Sequence, residues 1–206
     1  DRHAKIAEQP IWQDGHMTVL SAREVSDHLG QAVETPGLLM ADARVVRPRA
    51  ILSSWLPAGV TCAPVARVER DPQGWVLYDP HGAVLRRTAC LILAGGAGTA
   101  ALMPNLSLQP VRGQVEVARG VAAPPPVAWG GYAIPIGDDL LFGSTHDRDD
   151  TGTEVRAADT ARNRTALADR FPGLANGLEE GTITSRAATR ATTPDRLPYA
   201  GRLDEG

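Results

Sequence analysis

Ser185-Arg186-Ala187-Ala188-Thr189-Arg190-Ala191-Thr192-Thr193-Pro194-Asp195-Arg196-Leu197-Pro198-Tyr199-Ala200-Gly201 reads as a strand, over 182–191, that enters a Pro-Asp-Arg-Leu-Pro turn and then meets a glycine. Arg186 and Arg190 stand four residues apart, so the period-two alternation of a strand puts them on one face. A guanidinium grips a carboxylate through two parallel hydrogen bonds, a geometry that lysine cannot copy. Arg190 is therefore the first candidate binding residue; an ion pair with Asp195, or plain exposure, is its structural alternative. Arg186 is the second, against a solvated or sheet-edge charge.

Upstream, residues 151–170 carry a helical pattern, with Val155, Ala158, Leu167 and Phe171 at roughly helical spacing. Thr151 and Glu154 suggest its capping box, and Pro172-Gly173 its end. Before it, residues 132–136 and 140–145 predict a hairpin across Gly137-Asp138-Asp139. Residues 111–118 predict another strand, and the prolines of 122–126 a stiff surface connector. Runs at 65–69, 75–78 and 84–87 are separated by Asp-Pro-x-Gly turns and predict an antiparallel meander. Residues 90–94 read as a buried parallel strand. Two short helices are expected nearer the start. One runs from a Ser21/Glu24 capping box to Leu29 and Gly30; the other runs from Pro48 towards Gly59 with an apolar face. Strands outnumber helices, which gives an α+β class.

Composition narrows the function. The chain has 206 residues, 43% of them hydrophobic but only 4% aromatic, so its core is built mainly of Ala, Val and Leu. The 21 glycines and 16 prolines exceed the usual combined share of roughly 12% and imply many turns. A net charge of −3 gives no basic footprint for independent nucleic-acid binding. Cys62 and Cys90 suggest no disulfide framework, and a reducing cytoplasm is the natural setting. No apolar run reaches the roughly 18 residues of a membrane span. The five histidines show no metal-ligand spacing, no metal site is expected, and 146–150 reads as a solvated turn. Nothing resembles a Ser-His-Asp or Cys-His hydrolase.

Gly96-Ala97-Gly98-Thr99-Ala100-Ala101 satisfies Gly-x-Gly-x-x-Ala, and Glu116 lies where a ribose-binding acid would fall. That fingerprint needs a helix aimed at the pyrophosphate. Pro104 stops any helix here after about one turn, so a tight strand-to-loop turn is the expectation. Arg112-Gly113-Gln114 reads as sheet architecture, with Gly113 permitting close packing. Tyr132 is either a packing tyrosine or a hydroxyl donor to a carboxylate.

Taken together, the 185–201 motif, the Gly131-Tyr132-Ala133-Ile134-Pro135 and Leu141-Phe142-Gly143-Ser144-Thr145 pair, and Leu91-Ile92-Leu93-Ala94-Gly95-Gly96 resemble the D-amino-acid-oxidase family of FAD-dependent oxidoreductases. Asn163-Arg164 through Arg170-Phe171-Pro172 is similar to the branch whose flavin domain acts on the tRNA wobble uridine beside a methyltransferase domain. The resemblance implies an antiparallel substrate-domain sheet with flanking helices, plus partial edges of an FAD-binding domain. It implies four segments: 1–60 connecting from the flavin side, 61–105 meander and flavin-side strand, 106–185 substrate domain, and 186–206 return strand. It implies that Arg190, Tyr132 and Arg186 hold substrate, and that Val65, Ala94, Gly95, Gly96, Pro194 and Gly201 lie against FAD. The implied reaction oxidises a carboxymethylaminomethyl group on tRNA and releases glyoxylate. A free glycine or sarcosine oxidase, or a non-catalytic carboxylate-binding module, is the alternative. The family opens with a Gly-x-Gly-x-x-Gly turn and closes with a flavin helix, neither of which lies within 1–206. The expectation is a fragment that is colourless and inactive by itself.

Overall fold

The computed structural model describes residues 2–9, 16–57, 59–178 and 182–202. Its elements run α1 (Arg2–Ala7), β1 (Met17–Leu20), α2 (Ala22–Leu29), β2 (Gly37–Met40), α3 (Pro48–Trp55), β3 (Arg67–Asp71), β4 (Gly74–Tyr78), β5 (Val84–Thr88) and α4 (Thr99–Leu102). There follow β6 (Gln109–Ala118), β7 (Val127–Ala128), β8 (Tyr132–Ile136), β9 (Asp139–Gly143), β10 (Asp147–Arg148), α5 (Ala157–Arg170), α6 (Pro172–Asn176) and β11 (Ile183–Thr192). A six-stranded sheet has the order β10-β6-β9-β8-β7, with β11 also paired to β6. The β10–β6, β6–β9, β9–β8 and β8–β7 pairings are antiparallel, as in the α+β class expected from the strand-rich pattern.

The chain divides into two compact units. The first comprises 1–47, 113–146 and 154–187; the second comprises 48–112, 147–153 and 188–206.

In the first unit, α2 begins as its capping box requires. The Ser21 hydroxyl oxygen accepts from Glu24 N at 3.4 Å, and Glu24 Oε2 accepts from Ser21 N at 2.8 Å. Gly30, at φ 61°, supplies the left-handed residue that ends the helix. Leu29 and Val33 then join a core made with Ala118, Ala133, Leu140, Phe142, Leu167, Phe171, Leu174 and Leu178. Trp129 packs edge-on against Phe171 with ring centroids 5.0 Å apart. The β8–β9 hairpin turns through two residues, with Gly137 at φ 72° taking the conformation that other residues resist.

Two expectations fail in this unit. Helix α5 starts at Ala157, with Arg156 as its N-cap and no capping side chain of its own, so Thr151 and Glu154 are not its capping box. Glu154 instead pairs with the Arg156 guanidinium. Pro124 is buried, and Val121, Ala123 and Val127 pack against the core, so 122–126 is not merely a surface connector. Phe171 and Pro172 do end α5, but Pro172 also opens α6 at a first-turn position that suits its missing N–H.

In the second unit, β3, β4 and β5 form the expected meander, starting two residues later than the sequence suggested. Val76 and Val111 are its buried aliphatics. Residues 90–94 form no strand, contrary to the reading of a buried parallel strand: Ile92 is 84% exposed. A strand exists only where a neighbour takes its backbone hydrogen bonds, and no described strand pairs with this segment. The apolar face of α3 likewise stays exposed, with Trp55 75% accessible. The 96–101 motif is a short 3₁₀ turn leading into α4, which ends before Pro104. Asp147 and Arg148 lie opposite Arg112 and Val111, so part of 146–150 is strand rather than solvated turn.

Candidate active site

One face of the first unit's sheet is closed, and beside its apolar core it carries a buried polar cluster. Glu116 faces Phe142, which faces Ala133, and all three are fully buried. Glu116 Oε1 accepts from Gln114 Nε2 at 3.0 Å and from Asn163 Nδ2 at 3.1 Å; Oε2 accepts the Ser185 hydroxyl hydrogen. Gln114 also supplies the cap that α5 lacks. Its Oε1 accepts from Arg156 N at 2.8 Å, and its Nε2 donates to Arg156 O and Thr160 Oγ1, each at 3.0 Å. The Gln114 carbonyl accepts from Asn163 Nδ2 at 3.0 Å and from Thr145 N at 3.2 Å. A buried carboxylate in an apolar core costs several kcal/mol unless donors replace its water, and here three side-chain donors do. Glu116 is thus a structural hub rather than a ribose-binding acid.

The other face is the open one, and alternation decides what it carries. Tyr132 follows Gly131 and precedes buried Ala133, so it projects opposite to the Glu116 row. Arg186 follows Ser185, whose hydroxyl reaches Glu116, so it also projects to the open side, where it is exposed. Of the three predicted substrate-binding residues, these two share a unit and a sheet face. Arg190 belongs to the second unit and is exposed on β11, in phase with Arg186 along that strand.

The ground around Tyr132 is cleared by glycines. Gly143 lies directly between Tyr132 and Val115 in the sheet register. A Cβ on Gly131 would come within 2.8 Å of the Gly143 carbonyl oxygen. Only glycine fits there without moving backbone.

All six residues expected to meet FAD lie in the second unit. Ala94, Gly95 and Gly96 are exposed; Gly95 N donates to Thr99 Oγ1 at 3.0 Å. Gly96 has φ 56°, and a Cβ there would meet nothing within 4 Å. Such bare backbone fits a flat group laid against it. Pro194 and Gly201 are exposed and Val65 is half-buried. The Pro194 turn is held by Asp195, whose Oδ1 accepts from Leu197 N at 3.0 Å. That backbone bond, helped by the Thr193 hydroxyl, lowers the Asp195 pKa. Arg196 sits at φ 63°, a left-handed conformation that this turn imposes on a non-glycine residue.

Among the described residues no cluster of His, Cys, Asp or Glu could hold a metal ion, and no helix is long and apolar enough to cross a membrane. A small open cleft lined by Asp71, Trp75, Arg87 and Thr88 contains none of the predicted site residues.

Sequence reasoning missed the buried hydrogen-bonded grouping of Gln114, Glu116, Thr160, Asn163 and Ser185. Two signals could have exposed it. Arg112, Gln114 and Glu116 are polar at every second position of an otherwise apolar strand, and Thr160 and Asn163 share a helix face at three-residue spacing.

Residues 2–206 match the family described as "FAD dependent oxidoreductase" (DAO). The chain is 47% identical over its whole length to the tRNA 5-methylaminomethyl-2-thiouridine biosynthesis bifunctional protein MnmC of Caulobacter vibrioides, covering 34% of that protein. It is 36% identical to the MnmC protein of Burkholderia cenocepacia over 203 residues, covering 91% of this chain and 31% of that one. The chain therefore spans about a third of the length of these relatives. Among solved structures, glycine oxidase from Geobacillus kaustophilus superposes with a TM-score of 0.77 at 23% identity, over 98% of this chain and 56% of that one. Iminodiacetate oxidase from Chelativorans superposes with a TM-score of 0.71 at 19% identity, over 93% and 55%. These two likenesses concern the fold. With the family matched along essentially the entire chain, it belongs to the DAO family of FAD-dependent oxidoreductases.

Proposed function

We propose that this chain is part of an enzyme that oxidises the carboxymethylaminomethyl group of the tRNA wobble (2-thio)uridine, releasing glyoxylate and leaving an aminomethyl base. The observation that carries the reading is the 47% identity, along the whole chain, to a protein named for making 5-methylaminomethyl-2-thiouridine in tRNA. When bound, FAD supplies the two-electron acceptor for the amine's C–H and N–H; water then adds to the resulting imine and expels glyoxylate.

The chain's own residues bind and orient. Arg190 clamps the substrate carboxylate by two parallel hydrogen bonds, a charge-assisted geometry that fixes both distance and plane. Tyr132 donates its phenolic hydrogen to a substrate carboxylate on the glycine-cleared face of its own unit, where Arg186 adds positive potential. Ala94, Gly95 and Gly96, with Val65, Pro194 and Gly201, would hold FAD through close backbone approach. Holding the reacting carbon in one orientation is where the rate gain arises. The relatives' "bifunctional" name suggests a methyltransferase domain in the same polypeptide, acting on the aminomethyl product. A tRNA substrate places the enzyme in the cytoplasm. With a net charge of −3, this chain leaves most of the attraction for tRNA to other parts of the protein.

The test is glyoxylate release from carboxymethylaminomethyl tRNA by the FAD-loaded enzyme, beside free glycine and sarcosine. Turnover of tRNA and not of the free amines supports the reading. Turnover of glycine or sarcosine alone would reassign the protein to small amino-acid oxidation.

A further inference from the structure

We propose that Glu116 is a positioning residue for carboxylate binding, acting through Ser185 from the back of the sheet. This rests on the reading above, in which the open face receives the substrate.

A fully buried carboxylate is an expensive way to fill a core, because an apolar side chain of similar volume would pack without desolvation cost. Its donors show what it accomplishes. They come from three elements: Gln114 on β6, Asn163 on α5 and Ser185 on β11. The hydrogen bonds can form together only in one register of β11 against β6. A one-residue slip would turn Ser185 outward and swing Arg186 into the buried row, since side chains alternate strictly. Thr160 Oγ1 lies 3.3 Å from Ser185 Oγ and tightens the same restraint from α5. Glu116 thereby fixes the phase in which β11 presents Arg186. Gln114, bonded to Glu116, does the equivalent for the strand end opposite Tyr132: its N–H donates to Thr145 Oγ1 at 2.9 Å, just beyond Gly143.

The chemistry predicts which substitution is tolerated. In Glu116→Gln, Oε1 still accepts from the two amides, and Nε2 donates to a Ser185 hydroxyl that rotates to accept. The network survives without its charge. In Glu116→Val and Ser185→Ala it does not.

The experiment measures KM and kcat for carboxymethylaminomethyl tRNA in the FAD-loaded enzyme, the Kd of glycolate by calorimetry, and melting temperature. Ser185→Ala is expected to raise both KM and the glycolate Kd about 5- to 10-fold, the worth of one ordinary intramolecular hydrogen bond, with kcat within about twofold. Glu116→Gln is expected to keep both within about twofold of wild type, whereas Glu116→Val raises them as Ser185→Ala does. Lowered melting temperatures with unchanged KM and Kd would overturn the proposal and make the network purely structural. Glycolate binding without tRNA turnover in the wild type would overturn the tRNA reading and leave this one standing on the Kd ratios. A wild type that binds no glycolate and releases no glyoxylate from carboxymethylaminomethyl tRNA would overturn both.

Discussion

At the scale of single residues, Arg190 concentrates the binding claim. It is exposed on β11, and a guanidinium there can grip a carboxylate in a plane. Arg190→Lys keeps the charge but loses the two-bond geometry. In the complete enzyme, kcat/KM for glyoxylate release should fall roughly 30- to 150-fold, from a loss of about 2–3 kcal/mol in transition-state stabilisation. Melting should barely move, because an exposed strand position usually changes stability by less than about 0.5 kcal/mol. A matching collapse in melting temperature would assign Arg190 to structure instead. Asp195 offers a pH test. Its folded pKa is lowered by the Leu197 N–H and then by the Thr193 hydroxyl, so its contribution to the turn is fully present above the unfolded value. That contribution is lost as pH falls through the depressed folded value. A carboxyl resonance titrating below the ordinary aspartate range, with the Leu197 amide shifting in step, is the expected NMR result. Titration at the ordinary value would remove Asp195 from the turn.

At the scale of elements, the hairpin that carries Tyr132 depends on glycine as well as on the packing of Ala133, Leu140 and Phe142. Gly131→Ala places a methyl 2.8 Å from the Gly143 carbonyl oxygen, which is rigid backbone. The hairpin must shift, and a destabilisation of about 1–3 kcal/mol should appear in denaturant melts. An unchanged midpoint would mean that β8 and β9 are not registered as Tyr132↔Gly143. Local signals made several elements legible in advance. The Ser21/Glu24 capping box and Gly30 bounded α2, the Asp-Pro-x-Gly turns separated the meander strands, and Pro104 limited α4 to one turn. The start of α5 was illegible because its cap comes from Gln114, more than forty residues upstream, and a plausible local decoy stood at Thr151. Residues 90–94 misled for a related reason: an apolar run records a strand's fitness, not the presence of its neighbour. Alternation along β11 was legible and keeps Arg186 and Arg190 in phase, but the sharing of a face by Arg186 and Tyr132 and the buried network behind them depend on strand pairing that no local signal records.

At the scale of the whole molecule, the proposed site residues divide between the two units. The first holds a closed core and the open sheet face with Tyr132 and Arg186. The second holds Arg190 and every residue expected to meet FAD. It also has much exposed apolar surface, including Leu52, Trp55, Val60, Ile92 and Leu197. The central claim is oxidation of a tRNA-borne glycine-like amine, and nucleoside mass spectrometry tests it most directly. Carboxymethylaminomethyl tRNA is incubated with the complete FAD-loaded enzyme and digested, while glyoxylate is trapped as a hydrazone. The wobble nucleoside is expected to lose its carboxymethyl unit, with glyoxylate appearing in equal amount. An unchanged nucleoside, with glyoxylate formed instead from added glycine or sarcosine, would contradict it.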